Sequence, residues 1–181
     1  MRVEIFSPGV RLEGDVVVLP PGLPSPADAA ALESLRAYAL AGGKVLGLGD
    51  GVAWLCASSL LPGGVTSERP SEDATHVRVE GRATAFTWAI PAGRIVAHAA
   101  SAGRPRFVAA DDEVSALASR GRIVFRHCDR GGGVNRRADD HAATVAGLSD
   151  ETGRIVGLFG SSTPALDTEL GRQLLSCLGA R

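Results

Sequence analysis

Apolar positions along this chain change period several times, and each change marks a predicted element. Val3–Phe6 is a short strand closed by the breakers Ser7-Pro8-Gly9. Asp15–Pro20 reads DVVVLP, a continuous β-branched run with no polar face, which predicts a strand buried on both sides of a parallel sheet. After the breaker-rich PPGLPSPAD, a helix is expected from about Pro26 to Ala41. Leu32, Leu35 and Ala39 share one of its faces, and Gly42-Gly43 is its stop. Lys44–Leu48 is the next strand, and an amphipathic helix follows it as far as Pro62-Gly63. This β-loop-α-β-α order argues for a parallel sheet with helices on its faces.

From Thr66 onward the pattern alternates. THVRVEGRATAFTWAIPAGRIVAHA has the polar/apolar alternation of strands with one solvated face. Asp111–Arg120 predicts a short helix and GRIVFRHCD a strand, and RGGGVNRRADDHAAT is a loop. Val145–Leu148 and Arg154–Phe159 are further strands, and Leu166, Leu170, Leu174 and Leu178 mark a closing amphipathic helix. With no internal repeat and no linker-like stretch, residues 1–181 are read as one domain.

Composition narrows the function classes. Charged residues are 22% and hydrophobic ones 45%, the balance of an ordinary soluble globular protein. A formal net charge of −1 predicts neither nucleic-acid binding nor attraction to an anionic membrane. Cys56, Cys128 and Cys177 are far apart, with no C-x-x-C pair, so neither a disulfide framework nor a zinc site is expected, and no cofactor is implied. No basic segment followed by an apolar run opens the sequence, and no apolar stretch approaches ~20 residues, so a cytoplasmic location is expected.

The candidate chemistry lies after Lys44–Leu48. A strand entering a Gly-rich turn and then a helix is the setting in which a nucleophile elbow carries a Ser or Cys. The apex of this turn is Gly49.

Several segments together resemble class I glutamine amidotransferases. DVVVLPPGL is similar to their strand-and-PGGF segment, and LGLGDGVAWLCASSLLPGG to their CNGFQ elbow ending in LLPG. IPAGRIVAHAASAG, GRIVFRHCD with the later Asn135, and TVAGLSDETGRIVGLFGSSTPA resemble one branch, the glutaminase subunit of phosphoribosylformylglycinamidine synthase from purine biosynthesis. The likeness runs in consistent order from about Asp15 to the C-terminus. It implies a flavodoxin-like three-layer α/β sandwich of the class I glutamine amidotransferase type.

That family hydrolyses glutamine with a Cys–His–Glu triad and passes ammonia to a synthetase partner. Residue by residue, its nucleophile falls on Gly49, its His on Ser161 and its Glu on Thr163. The first Gly of PGGF falls on Pro21, which has no N–H to offer an oxyanion, and the Gln of CNGFQ falls on Ala53. Removing a whole triad leaves little beyond binding. The resemblance also implies a strand, a helix and a second strand ahead of the DVVVLP strand, each helical crossover needing about a dozen residues. Only fourteen residues precede Asp15. One N-terminal strand and one helix are therefore expected to be lacking, with a sheet edge for a partner or a second copy to cover.

Other residues have structural roles to set beside functional ones. Cys56, one turn past the elbow, is either a displaced nucleophile or a buried structural cysteine, the latter being the default. His127, Cys128 and Asp129 form a tempting trio, but adjacent strand residues point to opposite faces. His98 matches a family segment near the glutaminase pocket and is a ligand-binding candidate, as are Gly22, Gly49 and Asp50. Asp50 also reads as a helix N-cap. His76 and His141 are expected to be solvated, and Arg136-Arg137 to lie in a solvated loop. A Ser161/Ser162 hydrolase with His98 has no support from spacing.

The expected function is a catalytically degenerate glutaminase-like subunit that binds, supports or regulates a large synthetase-type subunit, or forms a homo-oligomer. The alternative is an enzyme or ligand-binding protein reusing the emptied pocket for another small metabolite.

Overall fold

The computed structural model describes residues 1–66, 76–81, 84–97, 106–134, 141–159 and 169–179. In chain order its elements are β1 (Val3–Ile5), β2 (Val16–Leu19), α1 (Ala29–Leu40), β3 (Lys44–Leu48), α2 (Gly51–Ala57), β4 (Gly64–Thr66) and β5 (His76–Val79). There follow β6 (Ile95–Ala97), β7 (Arg106–Val108), α3 (Asp111–Ser119), β8 (Ile123–Cys128), a 3-10 turn at Ala142–Thr144, β9 (Val145–Ser149), β10 (Ile155–Leu158) and α4 (Glu169–Gly179). Among the described residues, eight strands form one sheet in the order β1-β2-β3-β10-β9-β8-β5-β6. The half from β1 to β10 is parallel, and the half from β9 to β6 is antiparallel.

The uninterrupted apolar run of β2 is explained by two cores. All four of its residues have no accessible surface. Val17 and Leu19 pack with Ala31, Leu35 and Ala39 of α1, with Val52, Trp54 and Leu55 of α2, and with Val114 and Leu117 of α3. Val16 and Val18 lie in the opposite core, with Leu170, Leu174 and Cys177 of α4. Period 2 thus feeds both layers, and the architecture is the expected central sheet flanked by helices.

The boundary of α1 has a local cause. The Asp28 carboxylate accepts hydrogen bonds from the Ala30 and Ala31 amides, so the helix starts at Ala29 rather than Pro26. Before Asp15 the described residues hold one strand, β1, and no helix, and Phe6–Asp15 carries the chain over to a parallel pairing with β2.

Three expectations need correction. The helix after the elbow ends at Ala57, well short of Pro62: the Ser58 hydroxyl bonds the Trp54 and Leu55 carbonyls, and Ser59 takes a left-handed conformation with φ 58°. The alternation near Thr84–Ile90 is not strand. There the Thr84 and Thr87 hydroxyls bond each other and nearby amides, folding a run of turns that drops Phe86 and Ile90 into the α4-side core. His76 lies on β5, half-buried and paired with Ala97 and Cys128, rather than in a solvated stretch. The small β4–β7 sheet has no counterpart among the predicted elements.

Candidate functional site

The turn between β3 and α2 is built by glycine at two places. Gly49 has φ 53°, a conformation that costs most residues energy and that an elbow nucleophile adopts under strain. Its N–H donates to the Leu158 carbonyl at 2.9 Å, and its own carbonyl accepts from the Val52 amide at 3.0 Å. At Gly51, α2 approaches the end of β2 so closely that a Cβ there would overlap the Leu19 carbonyl oxygen. The strand-turn-helix of an elbow is therefore present with hydrogen at its apex.

Asp50 does not cap its own helix; its side chain makes no capping bond. The carboxylate instead accepts a hydrogen bond from the Gly22 amide at 2.7 Å, across 28 residues of sequence. The backbone donor on the loop after β2 is thus already committed to a negative charge. An oxyanion developing there would find an acceptor in place of a donor. Gly22 and Asp50, two candidates chosen separately from the sequence, meet in one contact.

The loop itself is clamped onto α2. Trp54 is 1% exposed, packs edge-on against Phe6 at 5.2 Å, and donates from Nε1 to the Pro24 carbonyl at 2.8 Å. Beside this clamp lies a cavity of about 630 Å³, bordered by Leu23–Pro26, Asp50, Ala53, Cys56 and Gly63–Thr66. Sequence reasoning missed Trp54 as the fastening of this wall. Its only signal was an aromatic residue with one polar atom inside an otherwise apolar helix.

Cys56 borders the cavity, but burial pushes its thiol up to about 11, so at neutral pH it carries almost no thiolate. Its Sγ donates to the Pro62 carbonyl at 3.9 Å, which is an acceptor and not a base. Cys128 is 2% exposed, and its thiol is likewise raised by burial. Asp129 accepts from the Gly131 and Gly133 amides at 2.8 and 2.9 Å and shapes a turn, so the His127-Cys128-Asp129 trio does not assemble as a site. His141 lies 3.6 Å from the Asp111 carboxylate, away from the elbow cavity. His98, Ser161, Thr163 and Arg136-Arg137 lie outside the described residues. Among the described residues no group of three His, Cys, Asp or Glu side chains is placed to hold a metal ion. No described helix is long and apolar enough to cross a membrane.

No protein-family model matches the chain. It is 31% identical over 138 residues to the phosphoribosylformylglycinamidine synthase subunit PurQ of Nitrobacter winogradskyi, covering 74% of this chain and 59% of that protein. It is 32% identical over 148 residues to the PurQ subunit of Symbiobacterium thermophilum, covering 77% and 62% respectively. The chain thus spans about three fifths of the length of these relatives. Among solved structures, the PurLQS structure from Thermotoga maritima superposes with a TM-score of 0.69 at 22% identity, over 94% of this chain and 82% of that one.

Proposed function

We propose that this chain, which is class I glutamine amidotransferase-like with homologues named PurQ, is a glutaminase-type subunit that has lost its hydrolytic chemistry. It acts by binding a synthetase partner of the phosphoribosylformylglycinamidine synthase type. One observation carries this: the elbow keeps its backbone with Gly49 at the nucleophile position, while the Asp50 carboxylate holds the Gly22 amide at 2.7 Å. A hydrolytic site needs a thiolate at the first position and an unoccupied donor at the second. Here both needs are unmet, and the one cysteine bordering the cavity is held protonated by burial. The equivalent triad positions Ser161 and Thr163 bring no imidazole and no carboxylate.

Ammonia release from glutamine is the direct test, with the purified protein alone and mixed with a PurL-type synthetase. No release above the uncatalysed rate is expected, together with a stable complex on size-exclusion chromatography. Turnover that disappears in Cys56→Ala would overturn the reading and restore a displaced nucleophile. Use of the emptied pocket for a different small metabolite is a second possibility, favoured by the cavity of about 630 Å³ beside Asp50. A small molecule co-purifying at that wall, with no synthetase complex, would favour it.

A further inference from the structure

Among the described residues the sheet ends at β1, whose outer edge has no neighbouring strand. The hydrogen bonds of its inner edge show which residues that pairing uses. The Val16 amide donates to the Arg2 carbonyl at 3.3 Å, and the Phe6 amide to the Val18 carbonyl at 2.8 Å. The Arg2 amide turns the same way, donating to the Asp15 carboxylate at 2.6 Å. Backbone groups of successive strand residues point to alternate edges, so Arg2, Glu4 and Phe6 serve β2 while Val3 and Ile5 turn their N–H and C=O groups outward. Natural edge strands are commonly blunted by lysine, proline or a bulge. Here the two outward-facing residues are β-branched, and the first proline after them is Pro8.

Register with Val16 and Val18 puts the Val3 and Ile5 side chains on the α4 side of the sheet, while Phe6 joins the core beneath α1. This rim is apolar and open to solvent: Met1, Val3 and Ile5 are 63%, 38% and 53% exposed. Arg2 and Glu4 alternate with it and carry opposite charges two residues apart. Arg2 lies 3.8 Å from Glu13, and the Glu4 carboxylate accepts from the Glu13 and Gly14 amides at 2.9 and 2.7 Å. Both charges are thereby kept beside the strand.

That spacing selects a partner. Two copies of β1 related by a twofold axis pair antiparallel, and outward-facing residues must then oppose outward-facing ones. With the axis at Val3, Ile5 opposes Met1 of the second copy, and each Arg2 stands opposite the other copy's Glu4. Placing the axis at Arg2 or at Glu4 instead sets two arginines or two glutamates against each other. Opposite charges across a strand pair stabilise it, and like charges destabilise it. We propose that the free edge of β1 is a homodimer interface, where a second copy of this chain adds its own β1 antiparallel about Val3 and continues the sheet. The same register joins Met1, Val3 and Ile5 of both copies into one apolar rim. A strand this short buries less than the ~1,200 Å² of a standing complex, so the dimer dissociates on dilution.

Sedimentation velocity of the full chain across a concentration series is expected to show a monomer–dimer equilibrium that stops at the dimer, because a twofold contact is closed. Val3→Pro deletes an outward N–H that β2 does not use. It is expected to abolish the dimer while leaving the circular-dichroism spectrum unchanged. Arg2→Glu turns both opposite-charge pairs into like-charge pairs and is expected to weaken dimerisation about tenfold. Mixing the Arg2→Glu chain with a Glu4→Arg chain restores opposite charges at both positions, so a heterodimer is expected from two variants that each self-associate poorly. If Glu4→Arg does not fold, Val3→Pro and Arg2→Glu carry the test. A chain that stays monomeric throughout, or a dimer that survives Val3→Pro or is unchanged by Arg2→Glu, would overturn the proposal. So would Val3→Pro abolishing a complex with a PurL-type synthetase while self-association is unaffected, which would give the edge to that partner.

Discussion

Gly51→Ala is the sharpest probe of the elbow, because the obstacle it meets is backbone. Gly51 is fully buried at the first position of α2. A Cβ there would overlap the Leu19 carbonyl oxygen and stand 2.7 Å from Leu19 Cβ and 2.8 Å from Leu19 C, where ordinary contact is 3.4–4 Å. Leu19 ends β2 and has no accessible surface, so no side-chain rotation relieves the overlap. The first turn of α2 must lift by about 0.7 Å or more. That pulls on Val52, Trp54 and Leu55, each 0–1% exposed. Forcing extra volume into a packed core costs about 1–3 kcal/mol, and the better helix propensity of alanine returns about 0.5–1 kcal/mol. A net loss of about 1–2 kcal/mol corresponds to a fall in Tm of roughly 2–8 °C for a chain of this size. Lifting the turn also draws Asp50 away from Gly22. Amide hydrogen exchange at Gly22 should therefore accelerate alongside the drop in Tm. A variant as stable as the parent, with Gly22 exchange unchanged, would refute the close approach of α2 to β2.

Other expectations follow from individual contacts. Trp54→Phe keeps most of the packing on Phe6 but loses the bond to the Pro24 carbonyl, and about 1–2 kcal/mol of stability is expected to go in urea unfolding. Asp28→Ala removes the cap that holds the Ala30 and Ala31 amides and should cost about 0.5–2 kcal/mol by the same assay. The Cys56 thiol is raised from 9.0 to about 11 in the folded state, so its neutral form is the one the fold favours. Its stabilisation is complete below pH 9 and is lost as pH rises towards 11, by an amount on the order of 2–3 kcal/mol. Cys56→Ala should flatten that alkaline limb of the stability profile. Iodoacetamide should label Cys56 of the native protein very slowly at pH 8, and fast labelling would contradict the burial-raised thiol.

Much of the scaffold was legible because local pattern and burial agree. Four β-branched and aliphatic residues in a row at Val16–Leu19 have only one low-energy home, a strand with a core on each face, and that is where they lie. Lys44–Leu48 and the turn at Gly49 were equally readable, since a strand ending in glycines and passing into a helix restricts the backbone locally. The limits of this reading show at α2. A hydroxyl at Ser58 turning back on the Trp54 and Leu55 carbonyls ends the helix early, and nothing in the apolar spacing announces it. At Thr84–Ile90 the alternation suited a strand, but two threonine hydroxyls satisfied the backbone as turns instead.

The sequence by itself determined where polar and apolar faces fall and that glycine stands at the apex of the turn after β3, because those depend on residue identity and short-range geometry. Only the tertiary structure decided which groups meet. The bond from Gly22 to Asp50 spans 28 residues, and it forms because β2 and β3 are parallel neighbours whose ends carry both turns to the same edge. Arg78 and Arg126 face each other solely through the antiparallel register of β5 and β8, and a shift of one residue would send one of them to the opposite face. Pairing register is set by the packing of the whole sheet rather than by either strand alone. The glycine turn at Gly49 could be read from the chain, whereas the facing of Arg78 and Arg126 could not.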